Sequence, residues 1–483
     1  MKYHLKCISF SIFWLVLGAL NPAALCAEDL DDVLSGFDTE IPEQESPGLS
    51  NEMDDLLSGF DESPTGEPEK ESTDNTILPE WLVVYGSLGL AGSVNFAHDA
   101  PKDNEADFRG LSMFRTTVDL SSEMRLGSWL AKISGHGFYD AAYSFQGREQ
   151  YTRALLDSYE QELEIDDLYL QGSLTSSLDI KIGRQIVVWG KSDNIRVTDI
   201  LNPLDNRLPG MVDIKNRRLP VTMTKLDYYT GDWNLSGIVM HEARFSKNPV
   251  YNSDFYPGKG PLPPEEKPNV SMDNQQYALA LNGIFSGWDL SLYGAWGFDD
   301  RAHITQDTNG SLYREHNRIF MAGMTGNIAL GNWLLKGETA WFDGLEFANL
   351  EDDDQVSRLD LMGGIEYLGF SETLLSLEIV NRHLIDFDEQ LTLAPDISQE
   401  DVIQTVAIFV RDFANDTTQL KIMLSIFGFH GEDGAFERFQ LEYDLTDSLT
   451  MTGGVIFYQS ADQGALSTVE DNDRLFFELL YEF

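Results

Sequence analysis

From Trp81 to Phe483 the sequence alternates apolar residues with polar or small ones, a period of two that indicates β-strands. In residues 289–298, leucine, tryptophan and phenylalanine occupy one parity, while aspartate, serine, tyrosine and alanine occupy the other. Many of these runs exceed about ten residues, which is long for a globular strand and suited to strands tilted in a membrane. The 18 predicted strands are 81–97, 108–125, 128–146, 161–174, 177–190, 218–230, 232–244, 274–286, 288–299, 316–330, 332–344, 355–369, 372–386, 402–413, 417–429, 435–446, 448–460 and 472–483.

The connections between these strands alternate in length. Short turns such as 127–128 and 231–232 alternate with longer loops such as 191–217 and 245–273, and 430–434 is a short member of the long set. This order is typical of membrane barrels, whose periplasmic turns are short and whose external loops are long, whereas a β-sandwich has no reason to keep it. We therefore predict an all-β fold, a transmembrane antiparallel up-and-down β-barrel over residues 81–483, with about 18 strands and 16 as the alternative.

Four of the short turns place a tryptophan directly after a glycine-containing turn. Glycine supplies the turn geometry, and the tryptophan then begins the outgoing strand at the height of a membrane interface. We expect these side chains to form an interfacial aromatic girdle rather than part of a soluble core, because all of them share one end. The predicted girdle residues are Trp129, Trp233, Trp288 and Trp333.

The C-terminal strand alternates up to a terminal phenylalanine. It resembles the signal by which barrel-assembly machinery accepts outer-membrane barrels, and that machinery is the partner it implies. The same strand must close the sheet, because an open edge in lipid leaves unpaired amides. The residues that carry the resemblance are Phe477, Leu479, Tyr481 and Phe483.

Residues 1–27 are predicted to be an export signal, with Lys2 and Lys6 before a short apolar run and small residues after it. Cleavage after Cys26 and cleavage after Ala27 fit equally well. Lipidation at Cys26 and an uncleaved anchor helix are weaker alternatives. Both cysteines lie in this stretch, so no disulfide or thiol nucleophile is expected later in the chain.

Residues 28–80 are predicted to be a disordered acidic tether in the periplasm, because 18 acidic residues accompany a single basic one, Lys70. An eight-residue sequence at 31–38 recurs at 54–61 with one substitution. Two copies on a flexible chain favour a bivalent docking motif for a periplasmic partner, and a duplicated acidic spacer is the equal alternative. The motif residues are Leu34, Phe37, Leu57 and Phe60.

The formal net charge of −47 excludes a nucleic-acid partner, since phosphate binding needs a basic face. Acidic residues facing a lumen predict cation preference. The histidines are scattered and no hydrolase, metalloprotease or phosphate-loop motif occurs, so we expect no enzyme activity and no cofactor or metal. The acidic run 351–354 is interpreted as a solvated loop rather than a cation site.

The loop around residues 190–220 concentrates six basic residues within 191–218, in a chain dominated by acids. We expect it to fold into the lumen, where its cations would face carboxylates and form a constriction. An external loop paired with lipopolysaccharide phosphates is the alternative. The candidate constriction residues are Arg184, Trp189, Lys191, Arg196, Asn202, Asp205, Arg207, Lys215, Arg217 and Arg218.

Arg184 has the parity of the lipid-facing residues Ile182 and Ile186. A bulge at Gly183 that redirects the side chain is one explanation, and a snorkelling arginine is the other.

Residues 183–192, which read GRQIVVWGKS, and 200–205, which read ILNPLD, resemble the signature of a poorly characterised proteobacterial family of outer-membrane barrels. Genes of that family often lie beside inner-membrane exporters of the resistance-nodulation-division type. The resemblance implies a porin-like barrel and traffic of lipids or hydrophobic compounds, with such an exporter as a partner. This chain has Lys191 where the family usually has an acidic residue.

Two functions follow as expectations. One is a porin-like channel or transporter for a small or amphiphilic solute in the outer membrane. The other is an outer-membrane component of an export or lipid-trafficking assembly, which recruits its partner through the N-terminal repeats.

Overall fold

The computed structural model describes residues 79–483, apart from 102–105, 259, 351–353 and 463–465, and for Lys215 it describes the backbone alone. The predicted export signal, the tether and its motif residues Leu34, Phe37, Leu57 and Phe60 lie outside the described residues. Among the described residues, no helix has both the length and the apolar character needed to cross a membrane.

The described chain forms a closed antiparallel barrel of 18 strands, which confirms the predicted fold class and strand number. Consecutive barrel strands pair with each other, and the last strand pairs with the first. In chain order the strands are β1 (Leu82–Asn95), β2 (Gly110–Leu126), β3 (Trp129–Asp140), β4 (Gln161–Thr175), β5 (Leu178–Gln185), β6 (Val221–Thr230), β7 (Trp233–Met240), β8 (Glu265–Glu266), β9 (Gln276–Phe285), β10 (Trp288–Phe298), β11 (His303–Gln306), β12 (Leu312–Glu315), β13 (Arg318–Leu330), β14 (Trp333–Leu345), β15 (Val356–Phe370), β16 (Thr373–Leu384), β17 (Asp401–Phe413), β18 (Thr418–Phe427), β19 (Ala435–Thr446), β20 (Leu449–Gln459) and β21 (Arg474–Glu482).

Three strands lie outside the barrel and were not predicted: β8, β11 and β12 form a small sheet of their own. The connection between β3 and β4 contains two short helices, α1 (Ala142–Gln146) and α2 (Arg153–Tyr159), where the sequence predicted strand up to residue 146. Short 3-10 turns lie at Arg148–Gln150, Ile214–Arg217, Met272–Asn274, Glu389–Thr392 and Glu470–Asn472. We call the end of the barrel with the short hairpin turns the turn end, and the opposite end the loop end.

The outer and inner faces of the barrel wall differ in the exposure of their side chains, as expected for strands whose side chains alternate between the two faces. On β16, Leu377 and Ile379 are 40% and 46% exposed, whereas their neighbours Glu378 and Val380 are fully buried inside the barrel. The outer face is therefore apolar, as a membrane-facing surface is.

The seam between β21 and β1 closes the barrel. Gly92 lies opposite Phe477, and the terminal residue Phe483 exchanges backbone hydrogen bonds with Gly86. The predicted assembly-signal residues thus lie on the closing strand, with Phe477, Tyr481 and Phe483 exposed on the outer face.

The predicted girdle tryptophans each begin a strand at the turn end, since β3, β7, β10 and β14 start at Trp129, Trp233, Trp288 and Trp333. Trp288 stacks on Phe285 with ring centroids 4.2 Å apart, and Trp333 packs on Tyr367 at 4.4 Å.

Two further predicted strands are too long. The strand expected at 177–190 ends at Gln185, and the one expected at 232–244 ends at Met240. Their apolar alternation continues past these points, but the chain leaves the wall there because it turns into the barrel interior. The main apolar core consequently lies inside the barrel, between the wall and the connection of β5 to β6.

Candidate functional site

Residues 186–220, the connection from β5 to β6, lie inside the barrel, and we call them the inner segment. Val187, Trp189 and Ile195 are 2–7% exposed, and they pack in one apolar cluster with inward residues of β6, β10, β13 and β14. Asn202 joins the two ends of the segment, because its Oδ1 accepts from Val187 N at 2.8 Å and its Nδ2 donates to Leu219 O at 2.9 Å.

Glu338 on β14 is the principal anchor of the inner segment. Its carboxylate accepts hydrogen bonds from the backbone N–H groups of Lys191 and Ser192, the latter at 2.7 Å, and from the Thr198 hydroxyl at 3.1 Å. Glu338 is 5% exposed. A buried carboxylate of this kind is stabilised by the donors that converge on it. The wall therefore supplies the acceptor that the N–H groups of the segment need, and the segment supplies the donors that the carboxylate needs.

Ion pairs and a second carboxylate extend this contact. Lys191 Nζ lies 3.0 Å from Asp289 on β10, and Lys336 Nζ on β14 lies 2.6 Å from Asp193. The hydroxyl of Ser192 donates to Glu378 on β16 at 2.7 Å. Burial lowers the pKa of Lys191, and the nearby carboxylate of Asp289 opposes that shift.

A second anchor holds the far end of the inner segment further round the wall, on β18 and β19. The Asp213 carboxylate pairs with Arg438 on β19 and, at 2.5 Å, with Lys421 on β18. Arg438 also donates to the carbonyl of Gly210 at 3.2 Å. Burial alone would raise the pKa of Asp213, but the two cations lower it to about 2. The segment, which begins at the end of β5 and returns to β6, therefore crosses the lumen and is bonded to strands between β10 and β19 on the other side of the barrel.

The expectation was that the basic residues of the inner segment face carboxylates of the lumen wall. Several of them instead bind partners within the segment. Arg196 and Arg218 both pair with Asp199 of the segment itself, at 3.4 and 2.9 Å. Arg217 donates to Asn206 at 2.9 Å. Lys191, by contrast, pairs with Asp289 of the wall.

Arg207 also reaches the wall. Its guanidinium lies 2.5 Å from Asp205 and 3.0 Å from Glu162 on β4. For Lys215 the side chain is outside the described part, and nothing is assigned to it.

Arg184 lies on the lipid-facing parity of β5, opposite Leu168 and Thr222, and the pairing runs without a shift through Gly183. The bulge explanation is therefore wrong. The guanidinium instead binds Glu164 and Glu242, each at 3.0 Å, and donates to the carbonyl of Ile165 at 2.8 Å.

A cavity of about 200 Å³ lies beside the inner segment. Its lining combines apolar side chains with charged ones, including Ala295, Ile319, Phe342, Arg196, Glu242 and Arg244. A mixed lining of this kind suits a solute with both apolar and polar parts.

A family model described as "Protein of unknown function (DUF1302)" matches residues 61–483. The chain belongs to this family. A comparison with curated protein sequences gave no match.

Among solved structures, the DUF1302 chain is similar to OccAB4 of Acinetobacter baumannii, with 12% identity and a TM-score of 0.49 over 85% of this chain and all of that one. It is also similar to OccAB3 of the same organism, with 11% identity and a TM-score of 0.49 over 83% and 99% of the two chains. A third similar structure is Pseudomonas aeruginosa OpdK with vanillate, with 10% identity and a TM-score of 0.48 over 83% and 98%.

Three groups of His, Asp and Glu in the described part of this DUF1302 barrel have oxygen and nitrogen atoms close enough to share a cation. The group of Asp193, Glu366 and Glu378 already surrounds the ammonium of Lys336, which lies 2.6 Å from Glu366. The group of His136, Glu162 and Glu164 faces arginines and Lys247. These positive neighbours supply the countercharge that a metal would otherwise provide.

Sequence reasoning missed the wall residues that hold the inner segment, chiefly Glu338, Glu378, Tyr293 and Asp289. Their signal is present in the alternation, since each is a polar or bulky residue on the inward parity of a strand. Parity shows that such a side chain faces the lumen, but it does not show which part of the lumen is filled.

Proposed function

We propose that the protein is an outer-membrane channel for a small or amphiphilic solute, with the inner segment as its constriction. The observation that carries this proposal is the position of the inner segment, which leaves the wall at β5, crosses a closed barrel and is bonded to strands on the other side before it returns to β6. A barrel of 18 strands is wide enough to hold water unless something fills it, so a segment fixed across it determines what passes.

The short turns would lie in the periplasm and the long loops outside the cell, as in other outer-membrane barrels. The girdle tryptophans at the turn end would then lie at the periplasmic membrane interface. The export signal predicted in residues 1–27 agrees with this location.

The charge of the lumen supports a preference for cations. Three acidic residues near the seam lie at positions whose strand parity faces the lumen. They are Asp119 on β2, Glu442 on β19 and Glu478 on β21. Fixed carboxylates around a lumen raise the local concentration of cations and lower that of anions.

Conductance across planar bilayers tests the channel and its constriction. The wild-type protein is expected to give stable conductance steps with a reversal potential of the cation-selective sign. Deletion of residues 192–216 is expected to enlarge the steps. A shorter control deletion of 305–312, in the hairpin of β11 and β12 outside the barrel sheet, is expected to leave them unchanged. Equal steps in all three proteins would refute the constriction, and no steps from the folded wild-type protein would refute the channel.

The second candidate is a component of an export or lipid-trafficking assembly. The burial of the inner segment favours it, since Val187, Trp189 and Ile195 are 2–7% exposed inside the barrel. The duplicated acidic motif would then recruit a periplasmic partner or an inner-membrane exporter. Silence in bilayers together with a co-purifying partner that is lost in the Phe37→Ala, Phe60→Ala double variant would favour this function.

A further inference from the structure

In one stretch of the barrel wall, the backbone hydrogen bonds that normally join neighbouring strands are missing. The pairing of β4 with β5 begins at Leu168 and Arg184. Residues 161–165 of β4 pair with β3 on one side and with no described strand on the other, and the register against β3 shifts at residues 166–167. The chain leaves the wall after Gln185 and returns at Val221. We call this interval at the loop end the wall gap.

Side-chain ion pairs close the wall gap. Arg184 binds Glu164 and Glu242 at 3.0 Å, and Arg244 binds Glu164 as well. Lys247 lies behind them, 2.5 Å from Glu164. We call Glu164, Arg184, Glu242 and Arg244 the latch. In a membrane barrel an interrupted ladder is costly, so closure by movable side chains indicates a place where the wall can open.

The latch lies between two spaces, each lined in part by apolar side chains. Toward the membrane, Leu163, Ile165 and Leu168 line a recess whose polar side is formed by Glu164 and Arg184. Toward the lumen, Glu242 and Arg244 line the 200 Å³ cavity together with Ala295 and Phe342. Each of the two ion pairs, Arg184–Glu242 and Arg244–Glu164, therefore joins a residue of the outer recess to a residue of the inner cavity.

The wall gap lies at membrane depth. Trp129, at the girdle level, is opposite Gly172 of β4. At about 3.3 Å per residue, Leu168 and Leu163 lie roughly 13 and 30 Å along the strand from that level. With a tilt of about 40° these distances correspond to heights of roughly 10 and 23 Å in an apolar band about 25 Å tall.

We propose that the latch is a lateral portal through which a single-chain amphiphile passes between the lumen cavity and the membrane. The portal deepens the proposed channel function and rests on it for the route through the lumen. The aliphatic tail would lie against Leu163, Ile165 and Leu168, while the polar head exchanges places with latch carboxylates or guanidinium groups. Leu163 is 89% exposed, which suits a residue that meets a tail or a lipid chain.

The absence of cysteine after residue 26 allows a direct test with single introduced thiols. In a Cys26→Ser background, Ala295→Cys places a thiol in the cavity lining, and Ala280→Cys places one at a buried inward site of β9 that does not line the cavity. We call the first the cavity thiol and the second the reference thiol. The purified barrel is reconstituted in vesicles and exposed either to N-dodecylmaleimide dissolved in the bilayer or to a water-soluble sulfonated maleimide.

The portal variant is Glu164→Gln with Arg184→Gln, which removes one acid and one base. The matched control is Lys225→Gln with Asp227→Asn, because this pair lies 3.2 Å apart on β6, whose pairing with β5 and with β7 has no register shift. We expect labelling of the cavity thiol by the bilayer reagent to be at least tenfold faster in the portal variant than in the control. Labelling of the reference thiol is expected to stay slow in both.

Equal rates of labelling by the bilayer reagent in the portal variant and the control overturn the portal, whatever the bilayer conductance shows. Fast labelling by the sulfonated reagent together with slow labelling by the bilayer reagent also overturns it, because the cavity would then open to water alone. Heat-modifiable migration on gels identifies folded barrels. If the portal variant does not fold, the test uses the barrel with an intact latch. There the portal requires the cavity thiol to react with the bilayer reagent faster than the reference thiol, and equal rates overturn the portal.

Discussion

The indole of Trp189 stacks on the ring of Tyr293, with centroids 4.6 Å apart and planes inclined by 18°. Trp189 belongs to the inner segment and Tyr293 to the wall, and both are buried. The stack therefore joins a segment that has left the sheet to the sheet itself, by an apolar contact next to the hydrogen bonds at Glu338.

Replacing the indole tests how much this contact holds the segment in place. We expect Trp189→Ala to cost about 3–5 kcal/mol of stability, as large-to-small changes in packed interiors do, and to widen the conductance steps. Tyr293→Phe keeps the ring and removes a hydroxyl that lies 3.4 Å from Gly190 N, so its effect should be small. Urea unfolding and single-channel recording measure the two effects, and a Trp189→Ala protein with wild-type conductance would contradict the prediction.

The carboxylate of Glu338 should matter through the backbone of the inner segment. Glu338→Gln keeps the shape but replaces one acceptor oxygen with an NH₂ donor that faces N–H groups, an expected cost of about 1–3 kcal/mol. We expect noisier conductance with frequent transitions to a larger state. The control is Glu123→Gln on β2, because Glu123 accepts from Tyr85 at 3.0 Å, away from the inner segment. Identical traces for both variants would exclude an anchoring role.

Asp213 gives the site a pH dependence. Its pKa in the folded protein is about 2, below the ordinary value of 3.8, because Arg438 and Lys421 stabilise the carboxylate. A depressed pKa of this kind contributes stability above about pH 4 that is lost as the pH falls toward 2, an effect of about 2 kcal/mol. We expect conductance to rise over that range as the far end of the segment is released.

The variant Asp213→Asn isolates this effect. It lacks the titrating group, so its conductance at pH 7 should already resemble that of the wild-type protein at low pH and should change little from pH 4 to 2. A variant that keeps the full pH response would assign the response to other carboxylates.

A disulfide distinguishes a fixed constriction from a moving one. A Cβ added to Gly323 on β13 would lie 2.7 Å from Cγ2 of Thr198, close enough for a Thr198→Cys, Gly323→Cys pair to bond. We expect the oxidised protein to conduct like the reduced one, because the constriction stays in place during passage of ions. Loss of conductance on oxidation and its recovery with dithiothreitol would instead make the inner segment a gate.

The fold could be predicted from local patterns, because strand parity and the lengths of turns are written in neighbouring residues. Where strands end could not be predicted. The apolar alternation runs on through Ile186 and Val188, and the chain leaves the wall after Gln185 because Asn202, Glu338 and Tyr293 offer partners inside. Those partners are distant in sequence, so a pattern confined to a few residues does not contain them.

The candidate site shows the same division. The cluster of bases marked the inner segment, but most of their partners lie within the segment. Lys191 and Arg207 reach wall carboxylates, and the other wall contacts use backbone N–H groups and the segment's own acids Asp193 and Asp213. Composition gives the number of charged residues but does not show which of them form ion pairs. Arg184 was conspicuous as a charged residue on the lipid-facing side of its strand. Its partners, Glu164 and Glu242, lie close to it only because β5 ends early, which the sequence does not show.

The seam provides the last prediction, because it closes the barrel through a glycine that faces an aromatic ring. A Cβ at Gly92 would lie 2.3 Å from the ring of Phe477, well inside contact distance, so Gly92→Ala must push the ring aside. We expect a cost of about 1–3 kcal/mol and a smaller fraction of heat-modifiable, closed barrel. Gly237 on β7 has no atom within 4 Å of its added Cβ, and Gly237→Ala should therefore fold like the wild-type protein. If both variants reach the same folded fraction and urea midpoint, the fit of Phe477 over Gly92 does not limit closure of the barrel.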